Sequence, residues 1–294
     1  MAEETAGRAK VSVVIPVRNG IQHLPETLAS VLSQTRVPDE IIVVENGSTD
    51  GTLEWLGECS ATAVQVIVQP TMVSAAANWT SAVRFATGHF VKLVCADDVL
   101  EPAAIEKQAR ALELHPAAVL VASRRTIVDN WGAPVVRGRG LGRLRGEVDG
   151  RDVIRACALR GQNLLGEPCC VMFRRAALDR HLPWDDSLPY AIDLDMYSRV
   201  LADGTAVAIP ESLAQFRMST GSWSAQLSDV QRQQFDRWRD RVVRTGLLEL
   251  TTSEHLRARL MARVQHGLRQ SAYRVTAIRS RKHASTTTPH DGSG

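Results

Sequence analysis

Three groups of acidic residues stand where carboxylates could do chemistry. Asp97-Asp98 directly follows a short β-branched run, and two carboxylates at the end of a buried strand repel each other unless a cation or donors compensate. Hard cations such as Mg2+ or Mn2+ bind through one or two carboxylates plus phosphate oxygens, which makes Asp97 and Asp98 candidate metal ligands. Asp98 could instead cap the helix that Pro102 opens, an explanation that suits Asp97 poorly. Asp193 and Asp195 lie in the stretch IDLDMY, early in an expected helix. The macrodipole favours aspartate there, so the default reading is structural. Glu45 ends a strand and opens the turn ENGSTDGT, in which Gly47 permits tight backbone and Ser48 or Asp50 can cap the next helix. A carboxylate at that strand end would suit the N–H or O–H donors of a base or ribose, and a plain capped turn leaves it unexplained.

These groups need a scaffold, and the first 125 residues supply one. Strands are expected at 11–17, 40–44, 64–68, 90–94 and 118–122, all short β-branched or apolar runs. Helices are expected between them at 21–34, 50–57, 74–87 and 102–114. Such alternation predicts an α/β domain with an open, mostly parallel sheet, and ligands in such sheets bind at the carboxyl ends of the strands. The polar clusters Arg18-Asn19-Gly20, Glu45-Asn46-Gly47-Ser48 and Asp97-Asp98 fall at those ends.

Beyond Arg125 the pattern changes. The stretch VRGRGLGRLRGEVDG at 136–150 reads as a mobile loop, and its Arg137, Arg139, Arg143 and Arg145 read as solvated rather than as a phosphate clamp. A strand is expected at 170–173, a helix at 190–203 and a strand at 206–209, with helix from Ser228 onward. Leu256, Leu260, Val264, Leu268, Ala272 and Val275 form one apolar stripe. Packing on the domain is favoured for it over contact with an anionic membrane. The domain plan is a disordered N-terminus at 1–10, a catalytic domain at 11–225, a helical extension at 226–283 and a disordered tail at 284–294.

Composition narrows the classes. With 44% hydrophobic and 23% charged residues in 294, the chain is neither disordered nor fibrous. Five cysteines, two of them adjacent (Cys169 and Cys170) and none in metal-ligand spacing, read as reduced thiols. No signal peptide and no run of about 18 apolar residues is evident, so a cytoplasmic location is expected, with the tail helix as a candidate for peripheral contact at the inner membrane face. Between His255 and His290 there are eight Lys or Arg and no acid, leaving 27 basic against 32 acidic residues elsewhere. An acidic body with a basic tail is unlike a nucleic-acid binder. Neither G-x-x-x-x-G-K-[ST] nor G-x-G-x-x-G occurs at the first turn, which argues against P-loop and dinucleotide chemistry.

Taken in order, VSVVIPVRNG at 11–20, IIVVENGSTDGT at 41–52, NWTSAVRFATGHFVKLVCADDVLEP at 78–102, VMFRRAAL at 171–178, DLDMYSRVLADG at 193–204 and FRMSTGSWS at 216–224 resemble the family-2 glycosyltransferases of the glycosyltransferase-A fold. The resemblance implies a nucleoside-diphosphate sugar over the carboxyl edge of the sheet and transfer to an acceptor hydroxyl of a glycan, lipid-linked saccharide or small molecule. Pro16, Val17, Asn19 and Asn78 would line the nucleotide sugar, and Glu45 would receive a hydrogen bond from the base. Asp97 matches the last aspartate of the family's D-x-D motif and would hold Mn2+ or Mg2+ at the diphosphate. Asp193 matches the general base of an inverting displacement, and Arg217 lies near the segment closing over the diphosphate. Cys95 stands at the first D-x-D position, Ile192 where a glutamate often precedes the base, Glu45 for the usual aspartate, and Ser219 for a frequent histidine. The alternatives are a catalytically inactive sugar-nucleotide-binding scaffold and a sugar nucleotidyltransferase. The second would need a glycine-rich loop with a basic residue, which Arg18-Asn19-Gly20 does not supply.

Overall fold

The computed structural model describes residues 8–59, 63–218, 227 and 230–286, with side chains through residue 271. Expectations placed on residues 1–7, on 219–224 of the closing motif including Ser219, on Ser228 and on 287–294, and on the side chains of Ala272 and Val275, lie outside what is described. Strand β1 (Val11–Val17) is buried along its whole length, as a strand covered on both faces must be. It pairs in parallel with β2 (Glu40–Glu45) and β4 (Phe90–Leu93), and β2 pairs in parallel with β3 (Val64–Val68). Helices α1 (Leu24–Leu32), α2 (Thr52–Glu58), α3 (Ala75–Phe85) and α4 (Ala104–Leu114) follow the expected alternation. Ser74 starts α3 by accepting a hydrogen bond from the Ala77 N–H at 3.2 Å, the usual work of an N-cap serine.

The sheet runs β3-β2-β1-β4-β9-β6-β10-β5. Strand β9 (Val171–Arg174) is inserted antiparallel between β4 and β6 (Ala118–Val128), and β6 pairs in parallel with β10 (Thr205–Arg217). The result is a mixed sheet of mostly parallel strands. Both β6 and β10 run well past the expected 118–122 and 206–209. Their continuations carry Ser123, Arg125, Thr126 and Arg217, all buried. Polar residues of this kind read as a strand's end in sequence, yet here they carry the sheet into the site.

The expected mobile loop at 136–150 is corrected. It contains β7 (Pro134–Arg139), pairing β6, and β8 (Gly146–Asp149), pairing β10, and its last residue opens helix α5 (Gly150–Arg160). Glycines 138, 140, 142 and 146 all have positive φ; Gly140 and Gly142 supply the turn between two edge strands whose exposed faces leave no apolar periodicity. Nor are its arginines all merely solvated. Arg139 donates to Gln162 at 2.7 Å and Gln265 at 3.3 Å, while Arg145 donates to the Leu144 carbonyl at 2.6 Å. The two-residue strand β5 (Val99–Leu100) and α5 were not legible at all.

Helices α6 (Arg175–Asp179), α7 (Ile192–Leu201), α8 (Gln231–Arg244) and α9 (Thr252–Thr286) complete the order. Trp238 of α8 is fully buried and donates its indole N–H to Ser198 of α7 at 3.0 Å. Helix α9 packs on α5 and α8, but not through its leucine stripe. Ala258 and Ala262 are its buried residues. A Cβ on Gly161, which ends α5 at φ +66°, would lie 2.3 Å from the Ala262 nitrogen, so two backbones touch where only small residues fit. Leu256, Leu260, Val264 and Leu268 remain exposed, against the expectation that they pack. No helix of the described residues is long and apolar enough to cross a membrane.

Candidate active site

The carboxyl edge begins with two loops bound to each other. Asn19, in the left-handed region at φ 53°, takes the Thr49 N–H on its Oδ1 at 2.8 Å and donates its own N–H to Ser48 at 2.8 Å. Gly20 donates to Thr52 Oγ1 at 3.0 Å and Ile21 to Asp50 at 3.1 Å. A Cβ on Gly20 would sit 2.5 Å from Val17 Cγ2, so this turn closes only around glycine. Pro16 and Val17 are buried within β1, and the Val17 carbonyl already accepts from Asn46 at 3.0 Å. Their side chains belong to the core, and Asn19 is the exposed member of the three.

Glu45 is buried, and its carboxylate accepts the N–H groups of Gly47 at 3.1 Å and Ser48 at 2.5 Å. The capped turn therefore does account for a carboxylate at this strand end. Next to it Asn46, which the sequence did not single out, exchanges two hydrogen bonds of 2.9 Å with the Val73 backbone. Asn78 is buried behind β2, accepting from Gln69 at 3.2 Å and donating to the Val44 carbonyl at 3.4 Å.

After β4 the two aspartates part company. Asp98 is fully buried and its Oδ1 accepts the Arg217 N–H at 3.2 Å. Burial, reinforced by the neighbouring Asp97 charge, pushes its carboxyl well above the usual range, and its Oδ1 braces the end of β10. Asp97 is half-buried. Burial raises its carboxyl too, while His23 and Arg217 oppose that rise. Arg217 itself is buried, donating to the carbonyls of Asp97 at 3.1 Å and Asn130 at 3.1 Å, and to Glu26 at 2.6 Å. It holds the aspartate turn from beneath, so most of its donors are engaged by protein. His23, absent from the sequence reading, sits beside Asp97 and meets Asn130 at 3.2 Å.

No group of three or more His, Cys, Asp or Glu able to hold a metal occurs among the described residues. A phosphate-bound Mg2+ or Mn2+ does not need one, because it keeps waters and takes one or two carboxylates. Asp97 alone offers an accessible carboxylate of that kind, and to that extent the residues fit.

Asp193, at the start of α7, faces the same region: the Cys95 thiol lies in the fields of Asp98, Asp97, Asp193 and Glu167 together. Asn163 donates to Asp193 Oδ2 at 2.9 Å, and the Leu194 N–H donates to Oδ1 at 2.7 Å. Burial, then the charge of Glu167, raises the Asp193 carboxyl to about 7. Glu167 is ion-paired with Arg125, whose Nη2 donates to Oε1 at 2.9 Å. Asp195 points elsewhere. Its side chain is 3% exposed and pairs with Arg199 at 3.0 Å and Arg241 at 2.9 Å, joining α7 to α8. This is more than the helix-end charge expected from sequence, because breaking a buried pair leaves arginines uncompensated. Allowing for the partly exposed arginines, Asp195→Asn should lose about 2–3 kcal/mol of stability. A lowered urea midpoint at unchanged slope is the measurement.

The family described as Glycosyl transferase family 2 matches residues 12–182, a span holding both loops, Asp97, Asn163 and Glu167. The chain belongs to that family. An uncharacterized protein of Mycobacterium tuberculosis is 26% identical over 238 residues, covering 78% of this chain and 73% of the relative. An uncharacterized glycosyltransferase of Haemophilus influenzae is 25% identical over 213 residues, covering 71% of this chain and 65% of the relative. Residues 1–349 of S. aureus TarS superpose with a TM-score of 0.59 at 16% identity, over 93% of this chain and 92% of that one. The same protein in complex with UDP-GlcNAc gives 0.61 at 20% identity, over 76% and 65%. At such identity the likeness is one of fold.

Within this family 2 chain, Asn163, Glu167, Arg125 and His23 are the site residues that sequence reasoning passed over. A partial signal existed for one of them. Gly166-Glu167-Pro168 is a punctuated turn that sets a carboxylate just before an apolar run.

Proposed function

We propose that the chain transfers a sugar from a nucleoside-diphosphate sugar to an acceptor hydroxyl by a single inverting displacement. The observation that carries this reading is Asp193: a half-buried carboxylate, oriented by Asn163, raised to about 7, in the same electrostatic neighbourhood as Asp97. A base with a pKa near the working pH is unprotonated often enough to act and basic enough to take a hydroxyl proton. Asp193 accepts that proton as the acceptor oxygen attacks the anomeric carbon. Glu167, held in an ion pair by Arg125, raises the base through its charge rather than serving as a second nucleophile, and one carboxylate at the reacting carbon corresponds to inversion. Asp97 would hold Mn2+ or Mg2+, which when bound neutralises charge on the leaving diphosphate. Asn19 and the Glu45 turn form the edge on which the nucleoside would rest.

UDP-GlcNAc, which the TarS structure contains, is the first donor to test. The experiment is release of nucleoside diphosphate from a panel of sugar nucleotides, with glycan, lipid-linked and small-molecule acceptors, in Mn2+ and in EDTA. Binding of a sugar nucleotide with no turnover for any acceptor would favour an inactive binding protein. The pH profile is a second expected outcome. Asp193 is protonated below about pH 7 and cannot accept a proton there, so kcat/KM should rise about tenfold per pH unit up to that point and then level. A flat profile from about pH 5 to 9 would remove Asp193 from the chemistry.

A further inference from the structure

Helix α9 is fixed to the body by one face and presents another that nothing described covers. The fixed face carries buried Ala258 and Ala262, Gln265 accepting from Arg139 at 3.3 Å, and Arg269 donating to Gln231 at 3.2 Å. Its first turn is tied to α5 by the Arg155–Glu254 pair. The other face carries Leu256, Leu260, Val264 and Leu268, which are 72%, 59%, 45% and 58% exposed. At about 100° per residue these four span an arc of roughly 120°. Arg257, Arg259 and Arg263 are exposed on the same stretch, Arg263 beside one margin of that arc, Arg257 just within the other and Arg259 roughly 60° outside it.

We infer that this face of α9 docks the protein on an anionic lipid surface, the leucines entering the headgroup–acyl boundary and the arginines meeting phosphates. Apolar side chains on one arc with flanking arginines are what an interfacial helix requires. Charge complementarity selects the partner: from His255 to His290 the chain has eight basic residues and no acidic one, while the rest of the protein is net acidic. An anionic surface attracts this end and repels the body, which orients the molecule. A second copy of the helix fits less well. Apolar residues spaced every four positions drift around the axis by about 40° per step and cannot maintain the 3.5-residue seam of a coiled coil. The inference is independent of which sugar or acceptor the site takes.

The test is cosedimentation of the full chain with vesicles of phosphatidylglycerol in phosphatidylcholine, and with phosphatidylcholine alone. Two triple variants accompany it: Leu256→Gln/Leu260→Gln/Leu268→Gln and Arg257→Gln/Arg259→Gln/Arg263→Gln. All six side chains are exposed, and an unchanged melting temperature checks that both variants fold. The wild type should bind the anionic vesicles at least about tenfold more tightly than neutral ones, and less tightly as salt rises. The leucine variant should lose about tenfold or more on anionic vesicles, and the arginine variant should lose the preference for them. Wild-type protein left in the supernatant, or a leucine variant that sediments like wild type, would overturn the inference. So would a wild-type dimer in light scattering that the leucine substitutions dissociate without any vesicle binding, since the face would then belong to a second copy.

Discussion

Asp193→Asn should lower turnover about 10²–10⁴-fold while leaving donor affinity nearly unchanged. Asparagine keeps the shape, and its one amide oxygen can still accept from Asn163 or from the Leu194 N–H, so one of the two contacts at 2.9 and 2.7 Å survives. What is lost is a group able to take a proton, which matters only as the acceptor oxygen attacks. The substitution should also remove the pH dependence centred near 7, because no titrating base remains. It should stabilise the fold slightly if it does anything, since a neutral amide replaces a carboxylate whose charge is disfavoured by burial and by Glu167. Donor binding by calorimetry and turnover by diphosphate release are the two measurements. If affinity and melting temperature fall together, Asp193 is a structural residue and the proposed mechanism is wrong.

The second large effect is expected at the other carboxylate. Asp97→Asn removes the accessible negative charge after β4 and should abolish the Mn2+ dependence of donor binding. Turnover should drop by about two orders of magnitude or more, as for other lost electrostatic contacts to a leaving group. The turn itself should persist, because Arg217 holds Asp97 through its backbone carbonyl, not its side chain. Binding isotherms with and without Mn2+ separate this outcome from a folding defect. Full activity in the variant, still abolished by EDTA, would move the ligand to a different group.

Much of this was legible in the chain, and the limits have physical causes. Strands β1, β2 and β4 declare themselves as short apolar runs because the centre of the sheet is covered on both faces and has little polar alternation. Asp97 and Asp193 stand out because a carboxylate in an apolar setting needs a reason. Asn163, Glu167 and Arg125 did not, because their role arises only when β6, the turn before β9 and α7 converge, and no local pattern encodes that convergence. Strand β7 escaped because an exposed edge carries no periodicity, and its glycines resemble a loop. The stripe on α9 was legible as a face but not as an outward one: the helix docks by alanine against Gly161, and small residues make a weak hydrophobic signal. Glu45 was read toward a ligand, whereas its own turn engages both carboxylate oxygens.

Arg217 has a consequence for the order in which the protein becomes competent. Its guanidinium reaches Glu26, Asp97 and the Asn130 carbonyl, partners 191, 120 and 87 residues earlier in the chain. During synthesis those partners all emerge long before the arginine does. Both loops at the carboxyl edge and both halves of the aspartate turn can therefore be present while the turn still lacks its buttress. The turn is complete only once the end of β10 pairs with β6 and brings Arg217 to it. A chain ending before residue 217 would hold Asp97 and Asp193 and still lack the guanidinium that ties Glu26, Asp97 and Asn130 together.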